Sequence, residues 1–221
     1  MGKIDIKGYI VSNDDREFYD FYGMTSTYPK MVQDAITNDE DEEITLNIAS
    51  SGGDVFAASE IYTMLRDSGK RIVVNIQGLA ASAASVISMA GNTVRISPTA
   101  HIMIHKASSG FVGNSDDMEH QSVVLNSIDE SIALAYEMKT GLKQTELLDL
   151  MAKETWLNAK TAVDKGFADE IMFSDTEEQI MVTNAVHQMP SKSAINKFKN
   201  MIAKPKTNSL REQKLKILLE K

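Results

Sequence analysis

The chain has 221 residues, 43 % hydrophobic and 24 % charged, with 31 acidic against 23 basic side chains and a net charge of −8. That is enough chain to bury a sizeable core, and the acidic balance argues against general nucleic-acid affinity. Cysteine is absent, which excludes disulfides, thiolate zinc sites and cysteine nucleophiles. No run approaches the roughly 18–20 apolar residues of a membrane span, and Met1-Gly2-Lys3-Ile4-Asp5 does not read as a secretory leader. A cytoplasmic protein with no membrane partner, no metal and no cofactor is expected.

Ile4, Ile6 and Ile10 open the chain at strand spacing. Thr27 to Asn38 reads as a short helix with Pro29 early, and the carboxylates Asp39 to Glu43 as a solvated turn. Ile44 to Ala49 alternates as a strand. After Ser50-Ser51-Gly52-Gly53-Asp54 comes a helix carrying Val55, Ala58, Ile61, Tyr62 and Leu65. Arg71 to Ile76 is a β-branched run, Gly78 to Ala90 reads as a small-residue helix, and Thr93 to Ile96 and His101 to Ile104 as two strands. The glycine-bearing segment Ala107 to Asn114 leads into a long helix, about Ser115 to Lys139. Strands alternating with helices at these lengths predict an α/β domain with a largely parallel sheet. After Asp175 the pattern decays, so residues 1–175 are expected to form the domain and 176–221 a C-terminal extension. In that extension Gln179 to Thr183 reads as a strand and Leu210 to Leu219 as a short amphipathic helix. Met189 to Lys221 holds nine Lys and Arg against Glu212 and Glu220, a net +7 beside a body of −15. A solvated tail and a dock for an acidic partner, DNA or a neighbouring subunit both fit it.

Two junctions stand out. Consecutive glycines at Gly52-Gly53 let a strand end turn its amides outward at a helix start, which suits incoming negative charge, although a plain tight turn uses the same residues. In Gly78-Leu79-Ala80-Ala81-Ser82-Ala83-Ala84-Ser85, Ser82 is either a helix cap or a nucleophile backed by neighbouring amides. A serine nucleophile needs a base. Among the four histidines His105 is placed best, at the end of an alternating strand, where a structural histidine is the other reading. Ser85 and Ser88, further along the same helix, are assigned to packing. Two amide-rich helix starts, a serine and a histidine together fit acyl transfer.

These residues also carry a resemblance. From Ile44 to Ile171 the chain resembles ClpP, the Clp protease proteolytic subunit family. Ser50-Ser51-Gly52-Gly53 is similar to that family's strand-end Ser-Pro-Gly-Gly, with Ser51 in the proline position. Gly78-Leu79-Ala80-Ala81-Ser82-Ala83 is similar to its nucleophile motif and Met103-Ile104-His105 to its histidine strand. Leu157-Asn158-Ala159, Ala162-Val163 and Gly166-Phe167-Ala168-Asp169 follow in the family's order. The opening, with Asp20-Phe21-Tyr22 and Thr27-Tyr28-Pro29-Lys30, is more like the phage and prophage branch of head maturation proteases.

The resemblance implies repeated β-β-α units of ClpP/crotonase type, a handle strand and a long handle helix (about 107–140). It implies an ATP-dependent Clp-type serine endopeptidase with Ser82 as nucleophile, His105 as general base, and Gly53 and Ala83 as oxyanion-hole amides. Counting back from Trp156-Leu157-Asn158-Ala159 puts Glu154 where the family has an aspartate, with Asp149 the nearest aspartate. Gly110-Phe111-Val112-Gly113 aligns with the glycine-rich handle strand and is expected to take an extended peptide as an added strand. On the following helix Val124, Ile128, Ile132 and Ala135 form a stripe, for packing on its own sheet or for an oligomer contact. Two stacked seven-membered rings are implied, hence a homo-oligomer. An AAA+ Clp ATPase is the family's partner, but only Met1 to Lys3 precede the first strand, so the axial-loop contact is expected to be reduced. A phage-type relative implies a capsid or scaffold protein as substrate. The alternatives are a non-catalytic ClpP-like ring component, a Ser–Lys dyad using Lys106, and a crotonase-type acyl-CoA enzyme, which leaves Ser82 and His105 without a role.

Overall fold

The period-two runs become neighbouring strands of one mainly parallel sheet in the computed structural model, which describes residues 2–174. The strand and helix expected in the basic extension, and that extension itself, lie outside the described residues. Strand β1 (Gly2–Ile10) is followed by α1 (Arg16–Phe21), β2 (Ser26–Thr27) and α2 (Pro29–Asn38). Then come β3 (Glu43–Gly53), α3 (Val55–Asp67), β4 (Arg71–Ala81), α4 (Ala83–Ser88), β5 (Thr93–Ile96) and β6 (His101–Ile104). The long α5 (Ser115–Thr140), α6 (Gln144–Ala152), β7 (Thr155–Asn158), α7 (Ala159–Asp164) and β8 (Glu170–Ile171) complete the described chain.

The strand order is β2-β1-β3-β4-β5-β8, all parallel, and β6 pairs with β4 and, antiparallel, with β7. β3 and β4 alternate: Ile44, Leu46, Ile48, Ile72, Val74 and Ile76 are buried on one face, with the half-buried Asn47 and Asn75 on the other. Each such aliphatic side chain contributes about 1.5–3 kcal/mol on burial.

One expected element is corrected in a way that builds the site. Gly78 to Ala81 are not the start of a helix but the second half of β4, and helix begins only at Ala83. The first half of β4 pairs with β5 (Val73 to Ile76 beside Thr93 to Ile96). The second half pairs with β6 (Leu79 to Ala81 beside His101 to Met103). The sheet therefore forks at Gln77-Gly78, and small side chains there carry no period that distinguishes strand from helix.

Two further corrections concern the handle. Gly110 to Gly113, expected as a handle strand with an open edge, are not assigned as strand, because residues 105–114 have no strand to pair with among the described residues. The buried stripe of α5 is Asp129, Ala133 and Tyr136, one position round from the expected one. Ile128, Ile132 and Ala135 are half-buried and Val124 is exposed. The helix itself is bounded as its residues dictate. Asn114 and Asp117 form a reciprocal capping box, and Gly141 ends the helix at φ +72°.

Candidate active site

Ser82 and His105 come together because they end adjacent parallel strands. Ala81 of β4 lies opposite Met103 of β6, and the Ser82 N–H continues the pairing with a 2.8 Å hydrogen bond to the Met103 carbonyl. His105 lies just past the end of β6, and its Nε2 sits 2.7 Å from Ser82 Oγ. Ser82 itself adopts φ +54°, ψ −124°, outside the regions that a residue with a Cβ ordinarily occupies. Such a conformation costs about 1–3 kcal/mol and persists only where its surroundings over-determine it. Here the Met103 carbonyl holds one side of the residue and the first turn of α4 the other. The result lifts Oγ off the sheet end toward His105, a strand-to-helix elbow of the kind that presents a serine nucleophile.

Gly52 and Gly53 crowd against this elbow, at φ +94° and +153°. A Cβ on Gly52 would lie 2.7 Å from the Ala81 carbonyl oxygen and 2.8 Å from Ser82 Cβ; one on Gly53 would collide with the Ile10 carbonyl. The glycines are thus demanded by close backbone approach as well as by dihedral angle, and Ser51 in the proline position leaves both intact. Gly52→Ala is expected to lower stability by at least about 1–3 kcal/mol from backbone strain alone and to lower catalytic rate with it. Thermal unfolding checks this, and an unchanged melting temperature would show that the turn moves aside freely.

Ser82, Ala83, Gly53 and His105 line one cavity of about 360 Å³ together with the apolar Val86, Leu125, Ile128 and Ile132 and the polar Asp54 and Gln121. As the first residue of α4, Ala83 has no preceding helical turn to receive its N–H. The Ser82 carbonyl, by contrast, accepts from Ser85 N at 2.9 Å, Val86 N at 3.4 Å and Ser85 Oγ at 2.6 Å. Ser85, assigned to packing in sequence, is fully buried but also holds the Ser82 carbonyl.

Glu154 lies on the turn into β7 at φ +47°. The antiparallel pairing of β6 with β7 ends at Ile104 opposite Thr155, and His105 and Glu154 are the next residues of the chain beyond that last pair. Its exposed carboxylate accepts from Trp156 Nε1 at 3.3 Å and not from His105. Asp149 is exposed on α6. Lys106, the alternative base, extends toward α5, where Nζ lies 3.5 Å from Asp129 Oδ2. Asp129 is buried and accepts from Ala107 N at 2.8 Å, anchoring the chain just beyond His105. Sequence reasoning did not single it out; an aspartate at a buried position of a half-apolar stripe was the available signal. Among the described residues no group of three or more His, Asp or Glu side chains is arranged to hold a metal ion, and no helix is long and apolar enough to cross a membrane.

A serine Oγ within hydrogen-bond reach of a histidine, just past the carboxyl ends of adjacent parallel strands, is an arrangement that fits acyl transfer. Comparison with known proteins gives the class a family. The model of the family described as Clp protease matches residues 29–175. The ATP-dependent Clp protease proteolytic subunit of Deinococcus radiodurans is 30 % identical over 141 residues, 63 % of this chain and 69 % of that protein. Proteolytic subunit 2 of Tropheryma whipplei is 28 % identical over 136 residues, 61 % of this chain and 76 % of that protein. The chain belongs to the Clp protease family, and membership implies a peptidase of the serine class.

Proposed function

We propose that this chain is the subunit of a Clp-type serine endopeptidase in which Ser82, His105 and Glu154 form the triad. The observation that carries the reading is the 2.7 Å approach of His105 Nε2 to Ser82 Oγ on a strained elbow. Ser82 Oγ attacks the scissile carbonyl as His105 takes its proton, and His105 then returns that proton to the leaving amine. The amides of Gly53 and Ala83 receive the oxyanion, and Glu154 steadies the imidazolium. Water repeats the sequence on the acyl-enzyme and frees Ser82. The apolar part of the cavity lining suits an apolar side chain just before the cleaved bond, and Gly110 to Gly113 offers unpaired backbone to an extended peptide.

Family membership supports a ring-forming homo-oligomer, read as two stacked seven-membered rings enclosing the sites. ATP dependence, carried in the names of the relatives, belongs in this reading to an AAA+ partner, since acyl transfer to water consumes no nucleotide. The segment holding α1 and β2 supports a place in the phage and prophage branch, with a capsid or scaffold protein as substrate. The family match begins at residue 29, downstream of that segment.

A fluorophosphonate probe tests the core of the reading. Assembled protein is expected to take the label on Ser82, and Ser82→Ala to take none. Folded, assembled protein that stays unlabelled would leave the non-catalytic ring component as the better account.

A further inference from the structure

We infer that Ser85 and Tyr136 are positioning residues that aim the Ala83 N–H at the oxyanion, acting through the peptide unit between Ser82 and Ala83. The inference rests on the reading of Ala83 as an oxyanion donor.

A trans peptide is planar, so its carbonyl and its N–H point in opposite directions, and no peptide in the described chain is cis. Whatever fixes the Ser82 carbonyl therefore fixes the direction of the Ala83 N–H. Two of the three donors on that carbonyl, Ser85 N and Val86 N, come with any helix start. The third and shortest, Ser85 Oγ at 2.6 Å, is supplied by a side chain. Because the backbone already satisfies the oxygen, the hydroxyl is surplus to hydrogen-bond accounting, and its added effect is to fix an angle.

That hydroxyl is itself held. Ser85 Oγ has one proton and donates it to the Ser82 carbonyl, so in its 2.7 Å contact with Tyr136 the phenol is the donor. Tyr136 is fully buried on α5, its ring 5.5 Å from that of Phe167, and burial pushes its pKa above the ordinary phenol value, which keeps the donated proton in place. Two turns earlier on the same face, Asp129 accepts from Ala107 N. One helix thus sets the peptide after Ser82 and the chain just past His105.

An oxyanion exists only in the transition state and the tetrahedral intermediate, so a misaimed donor lowers kcat and leaves KM in place. The test uses the assembled protein, a fluorogenic peptide with an apolar residue before the cleaved bond, and thermal unfolding. Ser85→Ala is expected to lower kcat about ten- to thirtyfold, short of the roughly 10²–10³-fold loss when a donor is removed outright. KM should stay within about twofold. The melting temperature falls too, because the Tyr136 hydroxyl is left buried without a partner. Tyr136→Phe costs about threefold in kcat, since Ser85 keeps its bond to Ser82 but loses its lateral hold.

The double variant Ser85→Ala/Tyr136→Phe decides between roles. Removing both hydroxyls leaves no orphan, so the melting temperature recovers while kcat stays at the Ser85→Ala level. If kcat recovers together with the melting temperature, or if KM rises by the factor by which kcat falls, the pair is structural and the inference fails alone. If wild-type Ser82 takes no fluorophosphonate label, the peptidase reading fails and this inference with it.

Discussion

His105→Ala is expected to lower kcat by about 10⁶, because members of a catalytic triad act as a unit and removing the base idles the nucleophile. Lys106→Ala should leave kcat within about threefold, since a side chain that touches no reacting atom removes no interaction made only in the transition state. The two adjacent residues are separated by strand geometry. Successive side chains on extended backbone face opposite ways; His105 meets Ser82 Oγ at 2.7 Å, whereas Lys106 runs to Asp129 on α5. Steady-state cleavage of a fluorogenic peptide measures both variants, with native mass confirming that each assembles. The reverse outcome, an active His105→Ala and an inactive Lys106→Ala, would establish a Ser–Lys dyad and displace the histidine.

The residues that carry this chemistry were legible in the sequence for different reasons. Ile44 to Ile48 alternate strictly and Ile102 to Ile104 are a short apolar run, so the strands that end at Gly53 and Ile104 were readable from the sequence. Gly78 to Ala81 were misread as helix because glycine, leucine and alanine have no preferred face; pairing with β6 decides their state, and that is a tertiary fact. The short elements α1, β7 and α7 were not legible, since α1 buries no side chain, β7 only Leu157 and α7 only two alanines. At Gly110 to Gly113 the sequence suited a strand, but a strand also requires a neighbour, and none pairs with it among the described residues. Ser85 shows the limit most clearly. A serine in an alanine-rich helix looks like filler, and its role depends on Tyr136, 51 residues away.

Glu154→Gln is expected to lower kcat about 10⁴-fold, the scale seen when a triad carboxylate becomes an amide, with native mass unchanged. The amide keeps the size of the side chain but loses the charge that stabilises the imidazolium. Glu154 and His105 each stand one residue beyond the last ladder pair, Ile104 with Thr155. Residues directly opposite in an antiparallel pair have Cβ atoms about 4.5–5.5 Å apart, within reach of a glutamate. In the structure the carboxylate accepts from the exposed Trp156 indole at 3.3 Å, a length that marks a weak bond easily exchanged. In the proposed active conformation Glu154 leaves Trp156 and accepts from His105 Nδ1, and the extra methylene relative to aspartate spans the step past the last ladder pair. Asp149→Asn on α6 is the control and should retain wild-type kcat. Normal turnover by Glu154→Gln beside a dead Asp149→Asn would move the acid to α6; normal turnover by both would leave His105 oriented without a carboxylate and reduce the site to a Ser–His dyad.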